Sequence, residues 1–316
     1  MSEANLTRLD EVPIPTRWDE IRCFTTIRNE ALRLPYFLDY HRALGVERFF
    51  FIDNASADGS SQYLLSQDDV HVFHTSGSYA LSHCGVDWLN ELLATYGVGH
   101  WTLTIDADEL LVYPMSERVG LHRLTGFLDQ VQAEGLVTFM LDMYSRAPIR
   151  ETNYERGSPF LSVCSYFDTN TYHHKDANGI PVRGGPRHRL FWQGRDRSKP
   201  SPVLKKIPLV KWRAGLAYEA STHVIPNVRL LPTLTGALLH FKFFADLYSN
   251  AEKETERKEH WDSAAQYAAY WHVLNENLGL SAFFEESVQY ENSMQLVELG
   301  LLRVSPEYAQ FVGGAP

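Results

Sequence analysis

Cysteine is scarce in this chain of 316 residues: Cys23, Cys84 and Cys164 are the three present, odd in number, far apart and without a Cys-x-x-Cys pair. That pattern excludes a disulfide framework and a zinc knuckle, and it fits a reducing cytoplasm. Long apolar runs are missing too. No stretch approaches the roughly 18 residues a membrane-spanning helix needs, and residues 1–20 are polar, acidic and proline-containing, unlike a signal segment. Positive charge is in deficit. Against 39 Asp and Glu stand 29 Lys and Arg, a formal net charge of -10, so no basic excess exists to neutralise nucleic-acid phosphates. Internal repeats and low-complexity tracts are absent as well. What remains is an ordinary globular composition, 44% hydrophobic and 22% charged, long enough for one large α/β domain or two small ones. Peripheral attachment to a membrane or to a partner enzyme stays compatible with it.

The stretch 100–114 organises the rest. Trp101, Leu103 and Ile105 alternate with Thr102 and Thr104, the period of a strand, and run directly into Asp106, Asp108 and Glu109. In α/β sheets, ligands sit beyond the carboxyl ends of the strands, so these acids would stand at the mouth of a site. Hard oxygen ligands suit Mg2+ or Mn2+, with a diphosphate completing the coordination. The competing reading is a solvated acidic turn that merely ends a strand.

Strands and helices alternate through the first half. Residues 1–18 read as a tail reaching the fold near Trp18, and residues 21–27 as a first strand followed by Arg28-Asn29-Glu30. A helix over 31–44 puts Leu34, Phe37, Leu38 and His41 on one face and stops at Gly45. A strand over 47–52, the turn 53–60 and a short helix to Leu65 follow, capped by Ser60 or Ser61. Residues 70–74 read as a strand and 79–96 as a helix before the organising strand. This alternation predicts a mostly parallel, Rossmann-like sheet flanked by helices, with right-handed crossovers. Beyond Pro114 the pattern predicts a helix over 121–134 and a strand over 136–143, then a long Gly-, Pro-, Arg- and His-rich connection over 145–202. Connections of that length are usually lids or binding loops. Apolar runs at 204–212, 228–231 and 237–244, the last carrying His240, precede C-terminal helices from Ala245, with 252–260 read as a solvated mixed-charge face.

Four features coincide in order and spacing: Arg28-Asn29-Glu30 after a strand, Asp53-Asn54-x-Ser56-x-Asp58-Gly59 after a strand, Asp106-x-Asp108-Glu109, and a late Leu238-Leu239-His240-Phe241. With the intervening Tyr40-His41-Arg42-Ala43-Leu44-Gly45-Val46, they resemble the bacterial glycosyltransferase family 2 enzymes of GT-A fold. The likeness is strong over 22–114 and thin afterwards, and Ala57 stands where those relatives usually have Thr. It implies a GT-A catalytic domain over 19–244, divided into a nucleotide-binding half, 19–115, and an acceptor half, 116–244, with a helical segment over 245–316. It implies a nucleotide-sugar donor, UDP by default, a glycan or lipid-linked acceptor, Mn2+ or Mg2+ as cofactor, and a cytoplasmic protein, peripheral at the inner membrane face where the acceptor is lipid-linked.

By this resemblance Thr25, Arg28, Asn29, Glu30 and Asp53 contact the base and ribose. Asp53 at a strand end can accept from a base N–H or ribose hydroxyls, although an Asx-turn holding 54–59 would explain it equally. Asp106 and Asp108 would share the ribose and the metal, with Glu109 bracing the loop. His240 is the leading third metal ligand and His223 the second; each has the alternative of a satisfied core histidine. Lys205, Lys206, Lys211, Arg187 and Arg189 suggest a positive lining for the diphosphate, Lys206 foremost. An inverting mechanism needs a general base, for which Asp142, Asp168 and Glu219 are candidates. Tyr144, Trp192, Trp212 and Tyr218 offer stacking surfaces for a sugar, with core packing as the alternative. The adjacent His173 and His174 point to opposite sides of a strand and make a poor chelate.

Two other readings compete. A sugar-nucleotidyltransferase would carry a Gly-rich, Arg- and Lys-containing loop after the first strand, which Arg28-Asn29-Glu30 is not. A non-catalytic glycan-binding scaffold of the same fold would have no reason to keep Asp106 and Asp108.

Overall fold

Apolar residues in unbroken runs, such as Phe49 to Ile52, make strands buried on both faces, as a sheet covered by helices requires. The structure, a computed structural model, describes residues 6–195, 200–259 and 261–313. The first five residues of the expected tail and His260 lie outside them. Among the described residues the main sheet has nine strands: β1 (Thr7–Arg8), β2 (Ile21–Ile27), β3 (Arg48–Asp53), β4 (Val70–His74), β5 (Trp101–Thr104), β6 (Glu109–Val112), β7 (Gly135–Asp142), β8 (Lys205–Lys211) and β9 (Leu230–His240). Their spatial order is β1-β4-β3-β2-β5-β8-β7-β9-β6.

Six of these strands run the same way. β2 is parallel to β3 and β5, and β3 to β4. β8 is antiparallel to both β5 and β7, so β7 regains the direction of β5, and β9 is parallel to β7. Only β1, β6 and β8 are reversed. The result is the expected mixed α/β architecture with a mostly parallel central sheet.

Helices α1 (Leu34–Leu44), α2 (Ser60–Leu65), α3 (Val86–Leu92) and α4 (Leu121–Gln130) cover the sheet; α5 (Gly185–Phe191), α6 (Leu247–Arg257) and α7 (Trp261–Glu276) follow, with α8 (Ser293–Glu298) and α9 (Pro306–Gly313) at the end. α1 buries Leu34, Phe37, Leu38 and His41 and ends at Gly45, whose φ of 112° favours glycine. Tyr144, Phe191, Phe243, Leu247, Tyr270 and Leu274 form a second apolar cluster that ties α5, α6 and α7 together.

Several elements depart from expectation. The helix expected over 79–96 starts only at Val86, because His83, Cys84 and Gly85 all have positive φ and cannot propagate a right-handed turn. The runs at 228–231 and 237–244 are joined through Pro232 into one 11-residue strand, β9, whose register shifts between Leu230 and Thr235. Phe241 to Phe244 lie beyond its end. β6 and α5 were not anticipated; four residues and seven residues are too short for periodicity to declare.

The expected tail is also partly a strand. β1 pairs with β4 before Trp18, which is 83% exposed. The segment is fastened by Asp10, which accepts from Arg8 at 2.7 Å, from the Val72 backbone N–H at 2.9 Å and from His71 at 3.0 Å. Burial opposes ionisation there, but those donors outweigh it and draw the Asp10 carboxyl down to about 2. A carboxyl depressed on folding stabilises above its unfolded pKa near 4, and that contribution disappears as pH falls through about 2. Asp10→Asn should therefore be less stable than the parent at pH 5, with the gap narrowing between pH 4 and pH 2. Urea midpoints measured on both proteins across that range check this; a gap independent of pH would contradict it.

Candidate active site

Because they share a direction, β2, β3, β5, β7 and β9 deliver the residues at or just past their carboxyl ends to one edge of the sheet: Arg28, Asn54, Asp106, Asp142 and His240. The reversed β6 and β8 begin at that edge, contributing Glu109 and Lys206. Register sets His240 opposite Glu109 on one side and Asp142 on the other. A cleft of about 1210 Å³ opens there, walled by residues of α6 and α7 and by 182–187 and 220–225.

A buried chain of charge runs beneath the cleft. Arg187 donates Nε–H to Asp142 Oδ2 at 2.8 Å, and Asp142 Oδ1 lies 2.6 Å from His240 Nδ1. His240 Nε2 is 3.4 Å from Asp108 Oδ2, and Lys242 Nζ stands 3.9 Å from the same oxygen. Asp142, Arg187 and His240 are 1%, 4% and 5% exposed. Burial opposes charge on His240, but Asp108 and Asp142 outweigh it and raise its pKa. Burial likewise opposes ionisation of Asp108, and His240, Lys242 and Arg33 overcome it, holding that carboxyl well below its ordinary range. A carboxylate behind Nδ1 fixes the ring and turns Nε2 toward Asp108, the arrangement by which proteins orient metal-binding histidines.

Asp106 faces elsewhere. Its Oδ2 and Glu109 Oε1 both accept from Lys206 Nζ at 2.8 Å, while Glu109 Oε2 accepts the Asp106 backbone N–H at 3.0 Å. Burial opposes the Lys206 charge, but these two acids raise its pKa above the ordinary lysine value. Among the described residues no three His, Cys, Asp or Glu side chains converge as a metal cage would. The expected trio of Asp106, Asp108 and His240 therefore divides: Asp108 and His240 stay together, and Asp106 turns to the ammonium. At a separation of 3.4 Å these two side chains could bind one ion between them.

The donor-side motifs prove to be largely a clamp between two loops. The Asn29 backbone N–H reaches Ser56 Oγ at 2.9 Å, Asn29 Oδ1 accepts from Ala57 N–H at 2.8 Å, and the N–H groups of Glu30 and Ala31 reach Ser60 Oγ and Asp58 Oδ2 at 2.9 Å each. Asp53, 1% exposed, accepts from the Ser56 N–H at 2.9 Å and from the Ser61 hydroxyl, the Asx-turn alternative. Thr25 is buried inside β2, and its neighbour Thr26 lines the cleft instead. Arg28, Asn29 and Glu30 do line it. Arg28 donates to the Asn54 carbonyl at 2.6 Å. Burial, partly offset by Arg33 and reinforced by Asp108 and Asp246, pushes the Glu30 carboxyl up to about 7.

None of the carboxylates nominated as general base is available for that task. Both Asp142 oxygens are engaged, so this residue anchors His240. Asp168 is fully buried, holding Tyr144 at 2.6 Å and Arg189 at 3.0 and 3.1 Å. Glu219 is exposed and lies outside the cleft lining. Of the five cations expected as a lining, Lys205, Lys206 and Arg187 are there; Lys211 pairs with Asp129 and Arg189 with Asp168. Trp192 lines the cleft, while Tyr144 is buried against Asp168 and Trp212 packs on Tyr218 with ring centroids 5.5 Å apart. Lys242, Arg33 and Tyr267 were not anticipated. Lys242 had a signal, standing two residues past His240 and so on the same side of an extended chain.

No protein-family model and no curated protein matches this chain. Among solved structures 37 chains match. One is the crystal structure of 4-diphosphocytidyl-2C-methyl-D-erythritol synthase, 14% identical, covering 90% of this chain and 99% of that one, with a TM-score of 0.29. A likeness at that level carries no argument about what this chain does. Among the described residues no helix is long and apolar enough to cross a membrane.

Proposed function

We propose that this chain is a metal-dependent, inverting glycosyltransferase of GT-A type, moving a sugar from a nucleoside-diphosphate donor, UDP by preference, to a hydroxyl of a glycan or lipid-linked acceptor. The observation that carries the reading is the Asp108–His240 pair, oriented from behind by Asp142 and Arg187 and set in a cleft whose lining includes Arg28, Arg183, Lys206 and Lys242 although the whole chain is acidic. Asp108 and His240 would hold Mn2+ or Mg2+, which when bound neutralises the departing diphosphate. Lys206 and Lys242 add positive charge to the cleft, and either ammonium could exchange a carboxylate for a phosphate oxygen as the donor arrives. The same reading makes 19–115 the donor half, 116–244 the acceptor half and 245–316 a helical segment contributing to the cleft. It makes the protein cytoplasmic, and peripheral at the inner membrane face if its acceptor is lipid-linked.

Incubating the protein with Mn2+ and a panel of UDP-, GDP- and dTDP-hexoses tests this directly. Release of nucleoside diphosphate from one of them, abolished by chelator, is the expected outcome. Pyrophosphate formed from a nucleoside triphosphate and a sugar phosphate would make the chain a nucleotidyltransferase instead. Absence of any thermal shift with every nucleotide and metal would favour a non-catalytic scaffold.

A further inference from the structure

Removal of the acceptor's proton has no carboxylate assigned to it once Asp142, Asp168 and Glu219 are accounted for. The carboxylates that line the cleft among the described residues are Glu30, Asp106, Asp108 and Glu254. Asp106 is bound to Lys206, and Asp108 faces His240. Glu30 lies 3.3 Å from Arg33 in the field of Asp108 and Lys242, and Glu254 sits beside Arg257, which donates to Asn54. Each of these four carboxylates already faces a cationic side chain.

His223 lines the same cleft, in the turn Ser221–Val224, together with Ser221, Thr222 and Ile225. Its Nδ1 lies 2.7 Å from the Lys205 carbonyl oxygen, an acceptor that requires the proton to be on Nδ1. Nε2 is therefore the lone-pair nitrogen, and among the described residues it has no hydrogen-bond partner. Resting on the transferase reading above, we propose that His223 is the general base of the reaction: its Nε2 takes the acceptor's proton as the acceptor oxygen bonds to the sugar's anomeric carbon, and the bond from that carbon to the diphosphate breaks with its electron pair leaving on the phosphate oxygen.

The surroundings set the protonation state of this base. The groups about the ring are Lys206 on β8, Arg187 on α5 and Asp106 on the β5–β6 turn. Burial, then Lys206, keeps the imidazole neutral, its pKa lowered to about 4. A neutral ring keeps the Nε2 lone pair available for the acceptor's proton.

The test uses His223→Ala and His223→Asn, the second because an amide N–H in place of Nδ1–H preserves the bond to the Lys205 carbonyl if the alanine variant misfolds. UDP with Mn2+ should raise the melting temperature of both variants as it does the parent's, while UDP release from the active UDP-hexose to water falls on the order of 10²-fold. Azide has no proton to lose, so sodium azide should restore release in the variants and yield the glycosyl azide. Unchanged turnover in the folded variants would overturn the assignment, as would lost turnover that azide leaves unrestored. A parent protein that neither responds to UDP nor turns over any nucleotide sugar would instead remove the transferase reading, and this assignment with it; that failure is recognised in the parent alone.

Discussion

Asp108→Asn should lower nucleoside-diphosphate release on the order of 10³-fold, whereas Asp106→Asn should lower it by roughly tenfold. The two aspartates look equivalent in the sequence but differ in their partners. Asp108 has an oxygen 3.4 Å from His240 Nε2, and the ammonium of Lys242 lies at 3.9 Å. On the proposed reading, removing its charge would deprive the cation of one of two protein ligands, and it leaves His240 and Lys242 without the anion they share. Asp106 is 56% exposed at its side chain, and its partner Lys206 keeps Glu109 at 2.8 Å when Asp106 is neutralised. The Lys206 charge is then freer for a phosphate, which offsets part of what is lost. Initial rates at saturating Mn2+ with a single UDP-hexose, together with a Mn2+ titration, measure both effects. Equal losses in the two variants would mean that the metal is held by both aspartates; no loss in Asp108→Asn would remove the metal pair altogether.

The part of this site that was legible in the sequence is the part written in continuous stretches. The alternation over 101–105 marked β5, and the acids after it were bound to fall at the sheet edge once the neighbouring strands were parallel. His240 could be nominated because β9 ends on it. Roles were harder to read than positions. Asp53, Ser56, Asp58 and Ser60 look like a ligand-binding signature, yet the side chains of Ser56, Ser60 and Asp58 bind Asn29, Glu30 and Ala31 across the loop pair while Asp53 accepts from the Ser56 N–H in its own turn, and only the folded chain shows which use prevails. Asp142 was singled out for lying at a strand end, which was correct, but its role is decided by Arg187, 45 residues later on a seven-residue helix within a connection where no periodicity announces structure. That helix depends on Gly184, at φ 127°, where a Cβ would come within 2.5 Å of the Thr171 carbonyl oxygen. A glycine in a Gly-Gly-Pro run reads as a loop; the constraint it satisfies is tertiary.

Arg187→Ala should cost about 3–5 kcal/mol of folding stability, since it leaves the Asp142 carboxylate buried without its guanidinium. Burial resists ionisation of Asp142, and Arg187 and His240 together keep the carboxyl below its ordinary range. The paired change Asp142→Leu with Arg187→Met should recover much of that loss, because two buried apolar side chains need no partners. Recovery should stop short of the parent by about 1–3 kcal/mol, as His240 Nδ1 would then be buried without an acceptor. Function should not recover with stability. Without the carboxylate the ring is free to change tautomer and tilt, and Mn2+ affinity should fall about 10–100-fold in the double variant even where its urea midpoint approaches the parent's. Urea unfolding and Mn2+ titration on the same preparations separate the two quantities. An Arg187→Ala protein within about 1 kcal/mol of the parent would show that the pair is not buried as described. A double variant with parental Mn2+ affinity would show that His240 needs no support from behind, and the metal pair would have to be sought elsewhere in the cleft.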